Sequence, residues 1–158
     1  MDRQAFQFTT RGEFDAHLRQ CFAGARLRLQ MFDPDFALWG LESVEVEALL
    51  RRFLLGKGRL ELIAHDKAWL ERDCPRFTRL LRDFGDAIEC RVSGKALRQL
   101  SDSFCIADGR DIVRRFHSAH LRGEAVFGGP DDTSVSAERF AGMWSESEPG
   151  LQSSTTGL

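Results

Sequence analysis

The chain has 158 residues, 42% of them hydrophobic and 29% charged, with a formal net charge of −2 and a pI near 6.1. A chain of this length buries roughly 70% of its unfolded surface and forms a core without disulfide or metal staples. The near-neutral balance removes the usual electrostatic argument for a nucleic-acid or membrane-surface protein. No apolar run approaches the roughly 20 residues that span a bilayer.

The opening segment MDRQAFQFTTRGEF has an acidic second residue and no apolar stretch, unlike a signal peptide. Cys21, Cys74, Cys90 and Cys105 form no CxxC, and in an untargeted chain they read as reduced, mostly buried thiols. The expectation is a single cytoplasmic domain over 1–149, with a low-complexity, disordered tail over 150–158. Of the 22 basic residues only Lys57, Lys67 and Lys95 are lysines, and tyrosine is absent. Chemistry that needs an ammonium group or a phenol has few candidates or none.

In chain order, residues 11–23 place Phe14, Leu18, Cys21 and Phe22 on one helical face, with Thr9 or Thr10 as cap. Residues 26–32 alternate Arg26, Arg28 and Gln30 against Leu27, Leu29 and Met31, a half-buried strand that ends at Asp33-Pro34-Asp35. A helix over 42–55 carries the stripe Val46, Leu49, Leu50, Phe53 and Leu54, acidic residues in its first turn, and Gly56 and Gly58 beyond its end. A strand at 59–64, a helix at 75–84 opened by Pro75, and a strand at 87–92 follow.

After this the pattern changes. Strands at 102–108, 111–116 and 121–127, separated by Asp-Gly and by Ser-Ala-His, read as a meander. A helix over 131–144, capped by Asp132, Thr133 or Ser134, presents Val135, Phe140 and Trp144. The expected fold is an α/β/α sandwich whose mixed sheet has a βαβαβ start, then a β-meander and a C-terminal helix.

The segment SDSFCIADGRDIV within this order resembles the signature region of the phospholipase D superfamily, in which an HxKxxxxD motif lies on a central strand followed by a glycine and a second apolar strand. Asp108-Gly109 fits the aspartate and glycine, and counting back puts Ser101 at the histidine position and Ser103 at the lysine position. The resemblance covers about residues 12–147, one half of a two-motif enzyme, and extends to uncharacterised bacterial domains of this size that keep the Ala-Asp-Gly-Arg end. It implies a degenerate site. In the active family the histidine attacks phosphorus, the lysine neutralises phosphate oxygens and the aspartate orients its neighbours.

A serine without an adjacent base is a poor nucleophile and brings no charge to a phosphoryl group. By analogy with hydrolase nucleophile deletions, losing such a group costs on the order of a million-fold in rate. The expectation is a non-catalytic binding or regulatory domain, with no cofactor and no metal. Its expected partners are a second copy of the chain, another protein, or a phosphate-bearing small molecule, rather than a membrane or a nucleic acid.

Other constellations compete with that reading. His65-Asp66-Lys67 is a literal HxK at the end of a strand, but Arg72 rather than an aspartate stands seven residues on, and a polar turn and helix follow. The alternative it offers is an active phosphodiesterase or nuclease using His65 and Lys67; a plain loop after a strand explains the same residues, and they could also edge a pocket. His117 and His120 form an HxxH between strands, short of the three or four ligands a metal needs. Asp33 and Asp35 fit Asx-Pro turn chemistry. Phe127-Gly128-Gly129-Pro130 lacks a phosphate-loop pattern.

Residues 91–122 carry seven basic against three acidic residues, and 123–158 reverse the bias with six acidic against one basic. Arg114, Arg115 and Arg122, with His65 and Lys67, are the candidate anion-binding residues. Surface ion pairing between those arginines and the acidic C-terminal helix is the plainer expectation. A third reading is a ligand-free interaction domain that docks another protein through its sheet or through exposed Trp39 and Trp69.

Overall fold

The computed structural model describes residues 2–152. In chain order the elements are β1 (Gln4–Phe8), α1 (Arg11–Gly24), β2 (Arg28–Phe32), α2 (Val44–Leu55), β3 (Arg59–Ala64), α3 (Ala68–Asp73), α4 (Pro75–Asp83), β4 (Ile88–Val92), β5 (Ser103–Ala107), β6 (Asp111–Arg115), β7 (Gly123–Phe127), α5 (Pro130–Ser145) and β8 (Glu148–Pro149). One eight-stranded sheet runs β1-β7-β6-β5-β2-β3-β4-β8.

The βαβαβ expectation holds: β2, β3 and β4 are parallel, and β5 joins β2 antiparallel to start the meander β5-β6-β7. Strand parity divides the core. Cys105, Ala107 and Val113 face the apolar layer under α1, α2 and α4, whereas Phe104, Ile106 and Ile112 face α5 with Phe140 and Met143. These layers make the α/β/α sandwich.

Two strands were not signalled by the sequence. β1 lies at a sheet edge with four of its five residues exposed, so its residues lack the one-face burial that makes alternation informative. β8 is two residues long. α1 opens as expected at Thr10, in a capping box: the Glu13 amide donates to the Thr10 hydroxyl oxygen, and Glu13 accepts from the Thr10 amide. α5 differs. Its cap position is Gly129, three to five residues before the expected caps Asp132, Thr133 and Ser134, with no side-chain cap, and Pro130 opens the first turn one residue before the expected start.

The expected tail lies largely outside the described residues, 153–158 entirely so. Of its first three positions, Gly150 donates its amide to Cys90 O at 2.8 Å, and Leu151 is buried.

Candidate functional site

The carboxyl ends of β2, β3 and β4 and the start of β5 lie at one end of the sheet, bringing Asp33, His65, Ser93, Ser101 and Ser103 together there. β6 runs antiparallel to β5, and its last residue Arg115 stands opposite Ser103 in register. This is the end at which open α/β sheets bind ligands.

Its centre is filled by protein groups. Arg115 is 2% exposed, and its Nη2 donates to Asp33 Oδ1 at 2.6 Å; the Asp33 side chain is equally buried. Arg115 Nη1 donates to Ser118 O at 2.7 Å, with His120 O at 3.5 Å, and the guanidinium lies 5.1 Å from the centre of the Phe14 ring. Its Nε–H has no polar partner among the described residues. Asp33 Oδ2 accepts the amides of Asp35 and Phe36, an Asx-type turn that takes Phe36 to a φ of 64°. That turn brings in Trp39, whose Nε1–H donates to Ser103 Oγ at 3.3 Å. Ser103 itself is 1% exposed. A buried cation, a buried carboxylate and an indole thus pack around the second serine.

Ser101, just before β5, is half-buried, and its carbonyl accepts the Ser118 amide. Asp108 does not join the two serines. It lies five residues beyond Ser103, about 17 Å along the strand, at the other end of the sheet. Asp108 and Gly109 have φ of 57° and 63°, and Arg110 N donates to Ala107 O at 3.0 Å. Asp108 and Gly109 are thus the left-handed central pair of a tight turn, for which Asp-Gly is the favoured sequence, within a three-residue connection between the paired Ala107 and Asp111. The Asp108 carboxylate accepts the amides of Arg26, Leu27 and Arg28 at 2.8–2.9 Å, tying the hairpin to the start of β2. Its role here is to anchor backbone, not to orient Ser101 or Ser103.

His65 is locked between two partners. Its Nε2 lies 2.7 Å from Leu100 O, and a carbonyl only accepts, so Nε2 carries the proton. In the neutral ring Nδ1 is then left to accept from the Ser93 hydroxyl. Both nitrogens are occupied, and the ring stands edge-on to Phe32. Lys67 does not share this setting. It precedes α3, is 43% exposed, and reaches towards Glu71 at 4.0 Å.

The arginine expectation needs correction. Arg114 pairs with Glu124 across β6 and β7 at 2.6 Å, and Arg115 pairs with Asp33; neither forms an ion pair with the acidic helix, although Arg3 chiefly, and Arg114 to a smaller extent, hold the Asp132 carboxyl below its usual range. α5 finds other partners, Asp132 with Arg3 and its own Arg139 with Asp102. Proximity in sequence misled here, because the sheet places the cross-strand Glu124 against Arg114 and the turn after β2 places Asp33 against Arg115. Arg122 is exposed and forms no ion pair among the described residues. The docking aromatics also fall away: Trp39 is 2% exposed and Trp69 packs against the core.

The thiols are buried and unpaired. Burial pushes Cys74 up to about 12 and Cys90 up to about 11, and it raises Cys105 well above the ordinary thiol range. Cys21 Sγ and Cys105 Sγ lie 3.9 Å apart between α1 and β5. Among the described residues no three His, Cys, Asp or Glu side chains converge as a metal site, and no helix is long and apolar enough to cross a membrane.

A sequence profile described as a domain of unknown function, DUF7931, matches residues 10–153. The chain belongs to the DUF7931 family. No curated protein matches this DUF7931 chain in sequence. In structure it is similar to Nuc, a phospholipase D family member from Salmonella typhimurium, with a TM-score of 0.70 and 12% identity over 96% of this chain and 100% of that one. NucT from Helicobacter pylori gives 0.67 and 8%, covering 94% and 100%. Phosphatidylserine synthase from Haemophilus influenzae Rd KW20 gives 0.65 and 10%, covering 96% of this chain and 40% of the larger one. At these identities the likeness is one of fold: this DUF7931 domain has the phospholipase-D-like architecture.

Proposed function

We propose that this DUF7931 chain is a non-catalytic phospholipase-D-like domain that binds an anionic, phosphate-bearing ligand rather than cleaving one. The observation that carries the reading is the filled centre of the site. Ser103 is buried under the Trp39 indole, and the cation beside it, Arg115, is neutralised by Asp33. A phosphoryl group entering there would have to displace a buried carboxylate and strip a guanidinium of its partner, which costs several kcal/mol.

Ser101 and Ser103 stand, in this reading, where the superfamily has its histidine and lysine. Neither hydroxyl has a base within hydrogen-bond reach among the described residues, so neither is an activated nucleophile. His65 is no substitute, because both its ring nitrogens are engaged in the fold. Of the candidate arginines, Arg122 alone keeps a guanidinium uncommitted among the described residues, and we assign it to anion recognition. A domain spanning residues 1–149, a bacterial and cytoplasmic setting, and assembly as a homodimer belong to the same proposal.

The test is turnover. Purified protein should release no p-nitrophenol from bis(p-nitrophenyl) phosphate above background, and Ser101→His/Ser103→Lys should stay inactive because the lysine would enter a closed space beside Arg115. Brisk hydrolysis by the wild type, lost in His65→Ala, would overturn the proposal in favour of a phosphodiesterase.

A further inference from the structure

Beside the filled centre, the segment joining β6 to β7 forms one wall of an open cleft of about 600 Å³, lined by Thr9, Phe116, His117, His120, Leu121 and Arg122. The wall is held rigidly. Phe116 N donates to Arg122 O, and His120 N to His117 O, closing the turn. From behind, Arg115 holds the carbonyls of Ser118 and His120, and Ser101 O accepts the Ser118 amide. The buried arginine of the filled centre therefore fixes the shape of this neighbouring cleft. Gly123 permits the close approach at the base of the wall, since a Cβ there would collide with Arg114 O and the Phe8 ring.

The lining combines two chemistries. Phe116 is 46% exposed, a large apolar ring left open, and Arg114, held by Glu124, lies 5.5 Å from the ring centre and steadies it. Leu121 extends the apolar floor. The polar groups are donors. Ala119 N donates to His117 Nδ1 at 3.1 Å, which makes Nδ1 the acceptor and leaves the proton on Nε2. The same bond disfavours metal binding, because a ring bound through Nε2 would need its proton on Nδ1. His120 lies beside His117, ring centres 5.4 Å apart, and Arg122 has no carboxylate partner among the described residues. The nearby Glu13 carboxylate is engaged by the amides of Thr9 and Thr10 and the Thr10 hydroxyl.

We infer that this cleft binds a small phosphate monoester carrying a flat aromatic group, its ring against Phe116 and Leu121 and its phosphate between Arg122 and His117 Nε2–H. The inference rests on the binding reading above and adds the place and the ligand class. An aromatic face matched with a guanidinium is the pairing such ligands use, and a wall fixed in advance lowers the ordering cost of binding.

Calorimetric titration tests it with phenyl phosphate and adenosine 5′-monophosphate as probes, and inorganic phosphate and ribose 5-phosphate as controls. Saturable binding of either aromatic probe below about 1 mM is expected, with both controls at least about tenfold weaker. Arg122→Ala and Phe116→Ala should each weaken the aromatic probe about tenfold while their circular dichroism and unfolding midpoints match the wild type. Val135→Ala, on exposed α5 surface, should bind unchanged. Binding of phenyl phosphate but not the nucleotide marks a simple aryl ester as the source; the reverse marks a nucleotide.

Equal affinity for inorganic phosphate, insensitivity to Phe116→Ala or Arg122→Ala, or no saturable binding of either probe would overturn the inference. Those failures, with turnover of bis(p-nitrophenyl) phosphate still absent, leave the non-catalytic reading standing. Hydrolysis of that diester would sink the non-catalytic reading whatever the titrations gave.

Discussion

Replacing Asp33 by alanine removes the only carboxylate that, among the described residues, faces a guanidinium that is 2% exposed. The loss has two parts. The Asp35 and Phe36 amides lose their acceptor, and Arg115 is left as a buried, uncompensated charge with only carbonyls and the Phe14 ring around it. Breaking a buried pair by removing one partner costs about 3–5 kcal/mol, a large share of the 5–15 kcal/mol that holds a domain together. At roughly 2–4 °C per kcal/mol for a chain of this size, the melting point should fall by about 6–20 °C.

Arg115→Met should cost a similar amount, since it strands the carboxylate instead. Asp33→Ala/Arg115→Met removes both charges at once and keeps only the lost turn and hairpin bonds, about 2–4 kcal/mol, well below the sum of the singles. The two singles and the double therefore form a strongly non-additive cycle, read by urea unfolding at unchanged m-value. An Asp33→Ala cost below about 1 kcal/mol, or additivity of the two changes, would refute the picture of a closed, charge-neutralised centre.

Two further outcomes follow from the same structure. Asp108→Ala should lose about 2–4 kcal/mol in urea unfolding, because three backbone amides lose a charged acceptor and alanine resists the left-handed conformation; Asp108→Asn, which keeps an acceptor and tolerates positive φ, should lose about 1 kcal/mol, and equal losses would refute the anchoring role. His17, packed on Phe6, Phe8 and Phe127, has its pKa lowered by burial, against a smaller opposing pull from Glu13. The unfolded chain then takes up the proton first, so this contribution is complete above pH 6.5 and is lost as pH falls from that value through the lower folded-state pKa. His17→Gln should flatten the stability profile just below pH 6.5, and an unchanged profile would exclude the residue as its source.

Much of the architecture is legible in the amino-acid order. Thr10 three residues before Glu13, the apolar stripe from Val46 to Leu54, and Pro75 opening a helix are local signals, decided within a few residues by capping and periodicity. Asp108-Gly109 also reads correctly as a turn, because the demand for two positive φ angles is local. Edge strand β1 is illegible for the converse reason: its order comes from pairing with β7, more than 100 residues away, and not from a buried face.

The site divides along the same line. Sequence by itself establishes that residues 101 and 103 are serines and that Asp108 is followed by glycine. Only the tertiary structure decides that Asp33, seen in sequence as a turn residue, neutralises Arg115 from 82 residues away, that Trp39 covers Ser103, and that Asp108 faces the opposite end of the sheet. Partners of that kind are selected by strand register and by the cost of leaving a charge unpaired in a dry interior, and neither leaves a mark in the spacing of residues along the chain.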